Sequence, residues 1–262
     1  MRVCNLSSGS DGNITYIETQ SAKILVDIGL SCSEVQNRLK FIGVEPQEIT
    51  AILITHEHSD HIKGLDVFVN KFHTKVYVHE KGIDAVFEKM KKAEKSCFCK
   101  FSDNDFSIGE TIISNVCLPH DSKYCSGYII SSNQRKIAII TDLGHTNDVI
   151  INKIKGSSLV YLESNHDIKM LHDNPNYPQV LKTRILGKRG HLSNIDCAKV
   201  IEQLAKSGTK QIMLSHISPH NNYPELAYKT VCDYLRSVGI NEGEHIKISV
   251  ALTMPTTMFV LS

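Results

Sequence analysis

The most informative segment of the chain is Thr55-His56-Glu57-His58-Ser59-Asp60-His61, which directly follows the apolar run Ala51-Ile52-Leu53-Ile54. Imidazole and carboxylate groups together suit zinc, manganese or iron rather than calcium or magnesium. A strand that ends in a tight turn can direct neighbouring side chains at one point, so these two segments predict a metal site. The alternative is a polar loop that is rich in histidine by chance, and matching residues further along the chain argue against it.

Three more candidate ligands follow short apolar runs in the same way. They are His120 after residues 116–119, Asp142 after residues 137–141 and His216 after residues 211–215. Loops converge at strand ends in an α/β sheet, so segments that are far apart in sequence can meet there. Each residue alone is more often structural than functional, but the ordered set of seven ligands is enough for two metal ions.

The order of these ligands resembles that of a known family. A His-x-His-x-Asp-His motif followed by a single His, a single Asp and a single His resembles the metallo-β-lactamase fold superfamily of binuclear hydrolases. Four further segments resemble its YycJ/WalJ branch, which consists of bacterial cytosolic proteins associated with exonuclease activity on double-stranded DNA. These segments are Ser8-Gly9-Ser10-Asp11-Gly12-Asn13, Thr141-Asp142-Leu143-Gly144-His145, Glu163-Ser164-Asn165-His166-Asp167 and Arg189-Gly190-His191-Leu192-Ser193-Asn194.

The resemblance is collinear along the whole chain and carries expectations for the fold. It implies one metallo-β-lactamase-like domain over residues 1–262. The fold class is then α/β (α+β), as a four-layer αββα sandwich. Alternating apolar runs and helical patterns along the chain agree with two sheets between outer helices.

The resemblance also assigns the ligands to two divalent cations, zinc or manganese, with iron as a further option. His56, His58 and His120 would hold one cation, Asp60, His61 and His216 the other, and Asp142 would bridge them. A hydroxide shared by both metals would attack phosphorus in line with the leaving oxygen. None of the seven positions is a cysteine, which many true β-lactamases of the superfamily use, so antibiotic hydrolysis is not expected.

His191 is a further catalytic candidate beside Asp142. In the ribonuclease Z relatives of the superfamily, a histidine in a similar loop acts at the scissile phosphate, and the reaction needs a proton for the leaving oxygen. The alternative for His191 is a histidine at a helix start, because Ser193 and Asn194 can cap a helix whatever the function. Asn165 and His166 could position substrate, or they could only fix their loop.

Two segments are candidates for binding phosphates of a substrate. Lys182, Arg184, Lys188 and Arg189 precede His191 and could contact flanking phosphates, although an amphipathic helix that ends in cations explains them equally well. Ser8, Ser10 and Asn13 could offer backbone amides to a phosphate, or the glycines between them could serve only a tight hairpin. Asp27 and Glu57 are expected to orient ligand imidazoles.

Composition limits the other classes of function. Lys plus Arg number 29 and Asp plus Glu 28, so the formal charge of +1 provides no global attraction to nucleic acid. The first residues contain no apolar segment long enough for a signal peptide or a membrane span, which leads us to expect a cytoplasmic protein. Its eight cysteines are then expected to be reduced thiols, and Cys97-Phe98-Cys99 is too closely spaced for a usual zinc clip.

Local patterns predict where several helices begin and end. Ser33 with Gln36 resembles a capping box for a helix that stops at Gly43. Further helices are predicted over residues 83–93, 178–186 and 195–206, and another between Pro224 and Gly239.

Three functions are compatible with these residues. The first is a two-metal phosphodiesterase that acts on double-stranded DNA as a 5'-to-3' exonuclease. The second is a small-molecule hydrolase, such as a cyclic phosphodiesterase or a thioesterase of the glyoxalase II type, because the metals alone do not choose the electrophile. The third is a non-enzymatic partner that uses the same fold.

Overall fold

The computed structural model describes residues 1–256 and 258–261. Its strands are β1 (Arg2–Ser7), β2 (Ile14–Glu18), β3 (Lys23–Val26), β4 (Ala51–Leu53), β5 (Lys75–His79), β6 (Phe98–Phe101), β7 (Phe106–Ile108), β8 (Thr111–Leu118), β9 (Cys125–Ser132), β10 (Arg135–Ile140), β11 (Leu159–Glu163), β12 (Gln211–Ser215), β13 (Lys247–Val250) and β14 (Phe259–Val260). Its α-helices are α1 (Cys32–Phe41), α2 (Ser59–Ile62), α3 (Leu65–Phe72), α4 (Ile83–Lys89), α5 (Asp148–Ile154), α6 (Ile168–Asp173), α7 (Gln179–Ile185), α8 (Asn194–Lys206) and α9 (Pro224–Ser237). Short 3-10 helices cover Pro46–Glu48 and Lys95–Cys97.

The strands of the described residues form two mixed sheets of seven strands each. The first has the order β14-β1-β2-β3-β4-β5-β6 and the second β13-β12-β11-β10-β9-β8-β7. In the first sheet, β3 to β6 run parallel, and in the second, β10 to β13 run parallel. Parallel neighbours end at the same edge of a sheet, so the residues that follow them are brought near one another.

The chain divides into two compact units. The first unit contains residues 1–115 and 122–135 and the C-terminal residues from Leu252, and the second contains residues 116–121 and 136–251. Four predicted ligands, from His56 to His61, belong to the first unit, and His120, Asp142 and His216 belong to the second. The expectation of a single domain over residues 1–262 stays a prediction.

The first unit has a hydrophobic core between its parallel strands and its helices. Leu25 of β3 and Ile52 of β4 are fully buried in one cluster with Leu39 of α1 and Phe68 of α3. Burying a large apolar side chain contributes about 1.5–3 kcal/mol to folding relative to leaving it exposed. This packing fixes the positions at which β3 and β4 end, and therefore where the polar segments after them begin.

The second unit packs α8 against α9 beside the parallel strands β10 to β13. The hydroxyl of Ser193 accepts a hydrogen bond from the backbone N–H of Asp196, which confirms Ser193 as the cap of α8. Pro224 opens α9, and Gly239 follows it with a left-handed φ of 80°, as predicted. Among the residues that the structure describes, no helix has the length and apolarity needed to cross a membrane.

Two predicted helix boundaries were wrong. The hydroxyl of Ser31, not Ser33, caps α1 by accepting a hydrogen bond from the N–H of Glu34. Helix α4 ends at Lys89 rather than at residue 93, because the carboxylate of Asp66 accepts hydrogen bonds from the backbone N–H groups of Lys91 and Lys92. Those amides are therefore drawn out of the helical hydrogen-bonding pattern.

Candidate metal centre

The loop after β4 gathers the four predicted ligands of the first unit. His56 and His61 are buried, and helix α2 begins directly after His58. Nε2 of His56 lies 2.9 Å from Nδ1 of His58, and Nε2 of His61 lies 3.3 Å from Oδ2 of Asp60. His56 and His58 are two residues apart in an extended segment, so their side chains point to the same side. Asp60 and His61 lie on the helical turn that follows, α2.

Asp27 fixes the orientation of His61. Its Oδ2 lies 2.7 Å from Nδ1 of His61, and its Oδ1 accepts a hydrogen bond from the backbone N–H of Thr55 at 2.8 Å. Burial raises the pKa of Asp27, and the contact with His61 opposes that rise. Because Nδ1 of His61 faces the carboxylate, Nε2 is the nitrogen left for a metal. The predicted contact of Asp27 with an imidazole is confirmed, and metal binding by His61 stays a prediction.

Glu57 does not orient an imidazole as predicted. Its Oε1 accepts a hydrogen bond from the backbone N–H of Lys123 at 2.8 Å, which ties the ligand loop to residues just before β9. The reason is its position: Glu57 lies between His56 and His58, so its side chain points away from theirs along the extended segment.

The glycine-rich loop after β1 contacts two of the predicted ligands, Asp60 and His61. The amide nitrogen of Asn13 lies 3.3 Å from Oδ2 of Asp60 and 3.2 Å from Nε2 of His61. Asn13 therefore contacts two predicted ligands. Ser8 is buried and its N–H donates to the carbonyl of Leu252, whereas Ser10 is exposed. Substrate binding by Ser8, Ser10 and Asn13 stays a prediction.

The second unit brings Asp142, Glu163, His191 and His216 together, with potential ligand atoms that all lie within 4.8 Å of one another. Oδ1 of Asp142 lies 3.4 Å from Nδ1 of His216 and 3.8 Å from Nδ1 of His191. Asp142, Glu163 and His216 lie at the ends of β10, β11 and β12, which run parallel, or within two residues after them. The predicted convergence of Asp142 and His216 at one sheet edge is therefore confirmed.

Glu163 is the central residue that the sequence-based ligand set missed. It is fully buried, and its Oε1 lies 2.7 Å from Nδ1 of both His191 and His216. Its Oε2 accepts hydrogen bonds from the backbone N–H groups of Leu143 and Leu192. Burial alone would raise the pKa of Glu163, but the contacts with His191 and His216 outweigh it and hold that pKa well below its ordinary value.

The charge on Glu163 also acts on His191. Burial opposes a charge on this imidazole, but the contact with Glu163 outweighs burial and raises the pKa of His191.

A sequence signal for Glu163 does exist. Like Asp142 and His216, Glu163 lies near the end of an apolar strand.

His120 lies beside the same group. Its Nε2 is 3.8 Å from Oδ1 of Asp142 and 3.3 Å from Oδ1 of Asp121. Burial lowers the pKa of His120, which favours the neutral ring that binds a metal. Nε of Arg189 donates to the carbonyl of His120 at 2.8 Å, and Arg184 forms an ion pair with Asp121. The two arginines thus hold the segment that carries His120.

The remaining predicted contacts to substrate also have protein partners. Nζ of Lys182 donates to the carbonyl of His172 at 2.6 Å, and every residue of α7 is at least partly exposed. The amide of Asn165 donates to the carbonyl of His216 at 2.9 Å, so Asn165 supports a predicted ligand. Substrate binding by Lys182, Arg184, Arg189 and Asn165 stays a prediction.

His166 is buried, and neither of its ring nitrogens has a hydrogen-bond partner within residues 1–256 and 258–261. Burial lowers the pKa of His166 to about 4. Its ring is therefore neutral near pH 7, and its backbone carbonyl accepts a hydrogen bond from the N–H of Asn194. A substrate-positioning role for His166 stays a prediction.

Left-handed backbone conformations occur at three of these strand ends. Asp27, Asp142 and His216 have φ values of 63°, 65° and 54°. Such values are uncommon outside glycine and cost about 1–3 kcal/mol each, so the surrounding structure must hold them. Strain of this kind is frequent at functional sites, and here it turns each side chain away from the strand direction toward its neighbours.

Comparisons with known proteins identify the family to which this chain is similar. A sequence model of the beta-lactamase superfamily domain matches residues 22–217. Exodeoxyribonuclease YycJ of Bacillus anthracis is 37% identical over 244 residues, which cover 93% of this chain and 92% of the relative. Exodeoxyribonuclease WalJ of Streptococcus pneumoniae is 34% identical over 248 residues, which cover 93% and 91%.

A solved structure has a similar fold. The crystal structure of the metallo-beta-lactamase fold protein YhfI from Bacillus subtilis superposes with a TM-score of 0.72 at 14% identity. The match covers 99% of this chain and 100% of that protein. At this identity the likeness concerns the fold alone.

Proposed function

The chain belongs to the beta-lactamase superfamily, in the branch of the exodeoxyribonucleases YycJ and WalJ, and we propose that it is a metal-dependent exonuclease acting on DNA. Membership of this family confirms the predicted metallo-β-lactamase fold, with two mixed sheets flanked by helices, and makes the protein a metal-dependent hydrolase. The observation that carries the DNA substrate is the similarity to two exodeoxyribonucleases over more than nine-tenths of this chain.

The donor chemistry of the two units fits divalent cations. Each unit pairs a buried carboxylate with the Nδ1 atom of a predicted ligand, as Asp27 does with His61 and Glu163 with His216. Carboxylate partners of this kind are usual for metal-binding histidines. We assign His56, His58 and His120 to one cation and Asp60, His61 and His216 to another, with Asp142 shared.

Zinc, manganese and iron all suit this mixture of imidazole and carboxylate ligands. When bound, such cations activate water as a nucleophile and stabilise the charge that develops on a phosphodiester in its transition state. This chemistry is compatible with hydrolysis of a phosphodiester, and the similarity to the two exodeoxyribonucleases favours that bond as the one cleaved.

His191 is placed to handle the proton that the reaction requires. Because its Nδ1 faces Glu163 at 2.7 Å, its Nε2 is the nitrogen available to a substrate. We propose that Nε2 of His191 donates a proton to the leaving oxygen of the cleaved phosphodiester. Oε1 of Glu163 would then fix the orientation of both His191 and His216.

The finer parts of the proposal concern the substrate and its location. We propose 5'-to-3' digestion of double-stranded DNA, in which the exposed Lys188 and Lys182 of α7 contact flanking phosphates. Arg184 and Arg189 would act mainly by holding the His120 segment. The eight cysteines are free thiols, which supports a cytoplasmic location, because thiols stay reduced there.

Digestion of end-labelled nucleic acids across a panel of metals tests the proposal. Single- and double-stranded DNA and RNA, labelled at the 5' or the 3' end, would be incubated with zinc, manganese or iron beside small phosphodiesters and a thioester. We expect release of labelled mononucleotides from the 5' end of duplex DNA before release from the 3' end. Turnover of only the small phosphodiester or thioester would overturn the exonuclease proposal in favour of a small-molecule hydrolase.

A further inference from the structure

A second group of potential metal ligands lies in the first unit, on other elements than the ligand loop. His73 follows α3, and Glu94 and Cys97 lie at the start and end of the turn that forms the 3-10 helix Lys95–Cys97. One potential ligand atom from each residue lies within 4.8 Å of the other two. Nδ1 of His73 is 2.9 Å from Oε2 of Glu94.

Hydrogen bonds hold the two segments of this group together before any metal binds. The side chain of Asn70 on α3 accepts a hydrogen bond from the N–H of Glu94 at 2.9 Å and donates one to the carbonyl of Lys92 at 2.8 Å. The N–H of Cys97 donates to the carbonyl of Glu94 at 3.1 Å, which places both side chains on one face of a turn. The side chain of Asn70 therefore holds the backbone of the Lys92–Glu94 segment against α3, close to His73.

The thiol of Cys97 supplies an independent observation. Cys97 is only 6% exposed, and its sulfur makes no hydrogen bond within the part of the chain that the structure describes. His73 has a left-handed φ of 53°, which turns its imidazole toward the thiol and Glu94. A buried sulfur without a hydrogen-bond partner among the described residues thus lies beside an imidazole and a carboxylate.

We propose that His73, Glu94 and Cys97 bind a zinc ion, with water as the fourth ligand. Zinc accepts sulfur, nitrogen and oxygen ligands in a tetrahedron, whereas magnesium and calcium take oxygen ligands. Bonds of about 2.0–2.3 Å require the ligand atoms to lie about 3.3–3.8 Å apart, so shifts of about 1 Å suffice here. Binding replaces the contact between His73 and Glu94 and releases the thiol proton of Cys97 to solvent.

The charges around the group are compatible with a cation. Glu94 provides the carboxylate, and the thiolate adds a second negative charge. Two ammonium groups oppose them: Nζ of Lys95 lies over the ring of Phe87 at 4.9 Å, and the charge of Lys75 helps to lower the pKa of Glu94. The two negative ligands must outweigh these charges for zinc to bind. The zinc ion would join the end of α3 to the segment of residues 90–97 and thereby order a loop that contains several lysines.

Cobalt substitution tests the site independently of the catalytic proposal. The seven proposed catalytic ligands include no cysteine, so a thiolate-to-cobalt charge-transfer band in the near ultraviolet reports a site that contains sulfur. We expect the band in the full chain loaded with Co²⁺. We expect it to vanish in Cys97→Ser and to weaken in His73→Ala.

The control variants are Cys99→Ser and Cys125→Ser, and both should keep the band. Cys99 lies two residues from Cys97. Cys125 is the relevant control for the catalytic loop, because its sulfur lies 3.8 Å from Nδ1 of His56. Absence of the band from the parent, or a band that persists in Cys97→Ser, would overturn the proposal.

Limited digestion with trypsin provides a second readout that does not depend on cobalt. Zinc should slow cleavage after Lys91, Lys92 and Lys95 in the parent protein by about 10-fold or more, because cleavage requires local opening of the loop that the metal closes. The same zinc should give no such protection in His73→Ala, whose altered side chain is exposed and should not impair folding. Equal protection in the variant would reject the site, and hydrolysis of DNA should be unchanged in His73→Ala.

Discussion

Oε1 of Glu163 lies 2.7 Å from Nδ1 of His216, and this pair fixes which nitrogen of the imidazole can face a metal. The carboxylate is held in its charged form, so Nδ1 of His216 donates the hydrogen bond and Nε2 is left as the ligand atom. Asp27 and His61 form the equivalent pair in the first unit. Each unit therefore contains a buried carboxylate that contacts Nδ1 of a predicted histidine ligand.

Removing the charge from this carboxylate should weaken metal binding. Glu163→Gln keeps the shape of the side chain but loses the negative charge that orients His191 and His216. We expect metal affinity to fall by about 10- to 100-fold. Titration of the stripped protein with zinc measures it, and Glu202→Gln on α8, whose carboxylate pairs with Lys206, is the matched control. Unchanged affinity in Glu163→Gln would show that the pair is only structural.

Loss of a proposed ligand should abolish activity without unfolding the protein. Asp142→Ala and His58→Ala remove a shared carboxylate and an imidazole, so each should lose bound metal and essentially all turnover. Elemental analysis of the purified variants, beside circular dichroism and digestion of DNA, checks this expectation. Full activity in either variant would contradict the binuclear assignment.

His191 should affect the rate more than the metal content. If its Nε2 provides the proton for the leaving oxygen, His191→Ala should retain its metals and turn over about 100- to 10,000-fold more slowly. Single-turnover rates measured together with metal content separate the two effects. A loss of metal large enough to account for the lost rate would instead make His191 a ligand or a structural residue.

His166 should make stability fall in mild acid. Its folded pKa of about 4 lies below the value of about 6.5 for an unfolded histidine, so the unfolded chain binds more protons and stability drops as pH falls from 6.5 toward 4. Between pH 7 and pH 5 the loss is about 2 kcal/mol in free energy of unfolding.

His166→Leu should remove this contribution. Urea unfolding of the metal-stripped proteins at both pH values measures the difference, and the exposed His172→Ala is the control. An equal pH dependence in the parent and in His166→Leu would show that the histidine does not titrate below its ordinary range.

Lys182 and Lys188, which precede His191 in the sequence, should contribute to the salt dependence of DNA binding. Each phosphate contact that is lost should flatten the log–log slope of affinity against salt by about 0.9 on duplex DNA, equally for all sequences. The variant is Lys182→Ala with Lys188→Ala, which leaves Arg184 and Arg189 to hold the His120 segment. Lys199→Ala with Lys229→Ala changes net charge equally on α8 and α9 and is the control. Parallel slopes in parent and variant would exclude this surface.

The sequence alone predicted the features that depend on neighbouring residues or on the order of segments along the chain. His56, His58, Asp60 and His61 occur within six residues after an apolar strand, so their proximity is fixed by the covalent chain. Asp142 and His216 could be predicted because each follows a parallel strand, and parallel strands end at one edge of a sheet. The cap at Ser193 and the start of α9 at Pro224 are local for the same reason.

Tertiary structure decided the partners of those residues. The sequence pattern indicates only that Glu163 is the last residue of a buried strand. Packing of the fold brings His191, His216 and two backbone amides around it. The end of α4 at Lys89 depends on Asp66, which lies on another helix. His73 and Cys97 are 24 positions apart and share no motif, so no local pattern could join them. Hydrogen bonds between distant segments depend on the packing of the whole fold, so a pattern along the sequence cannot predict them.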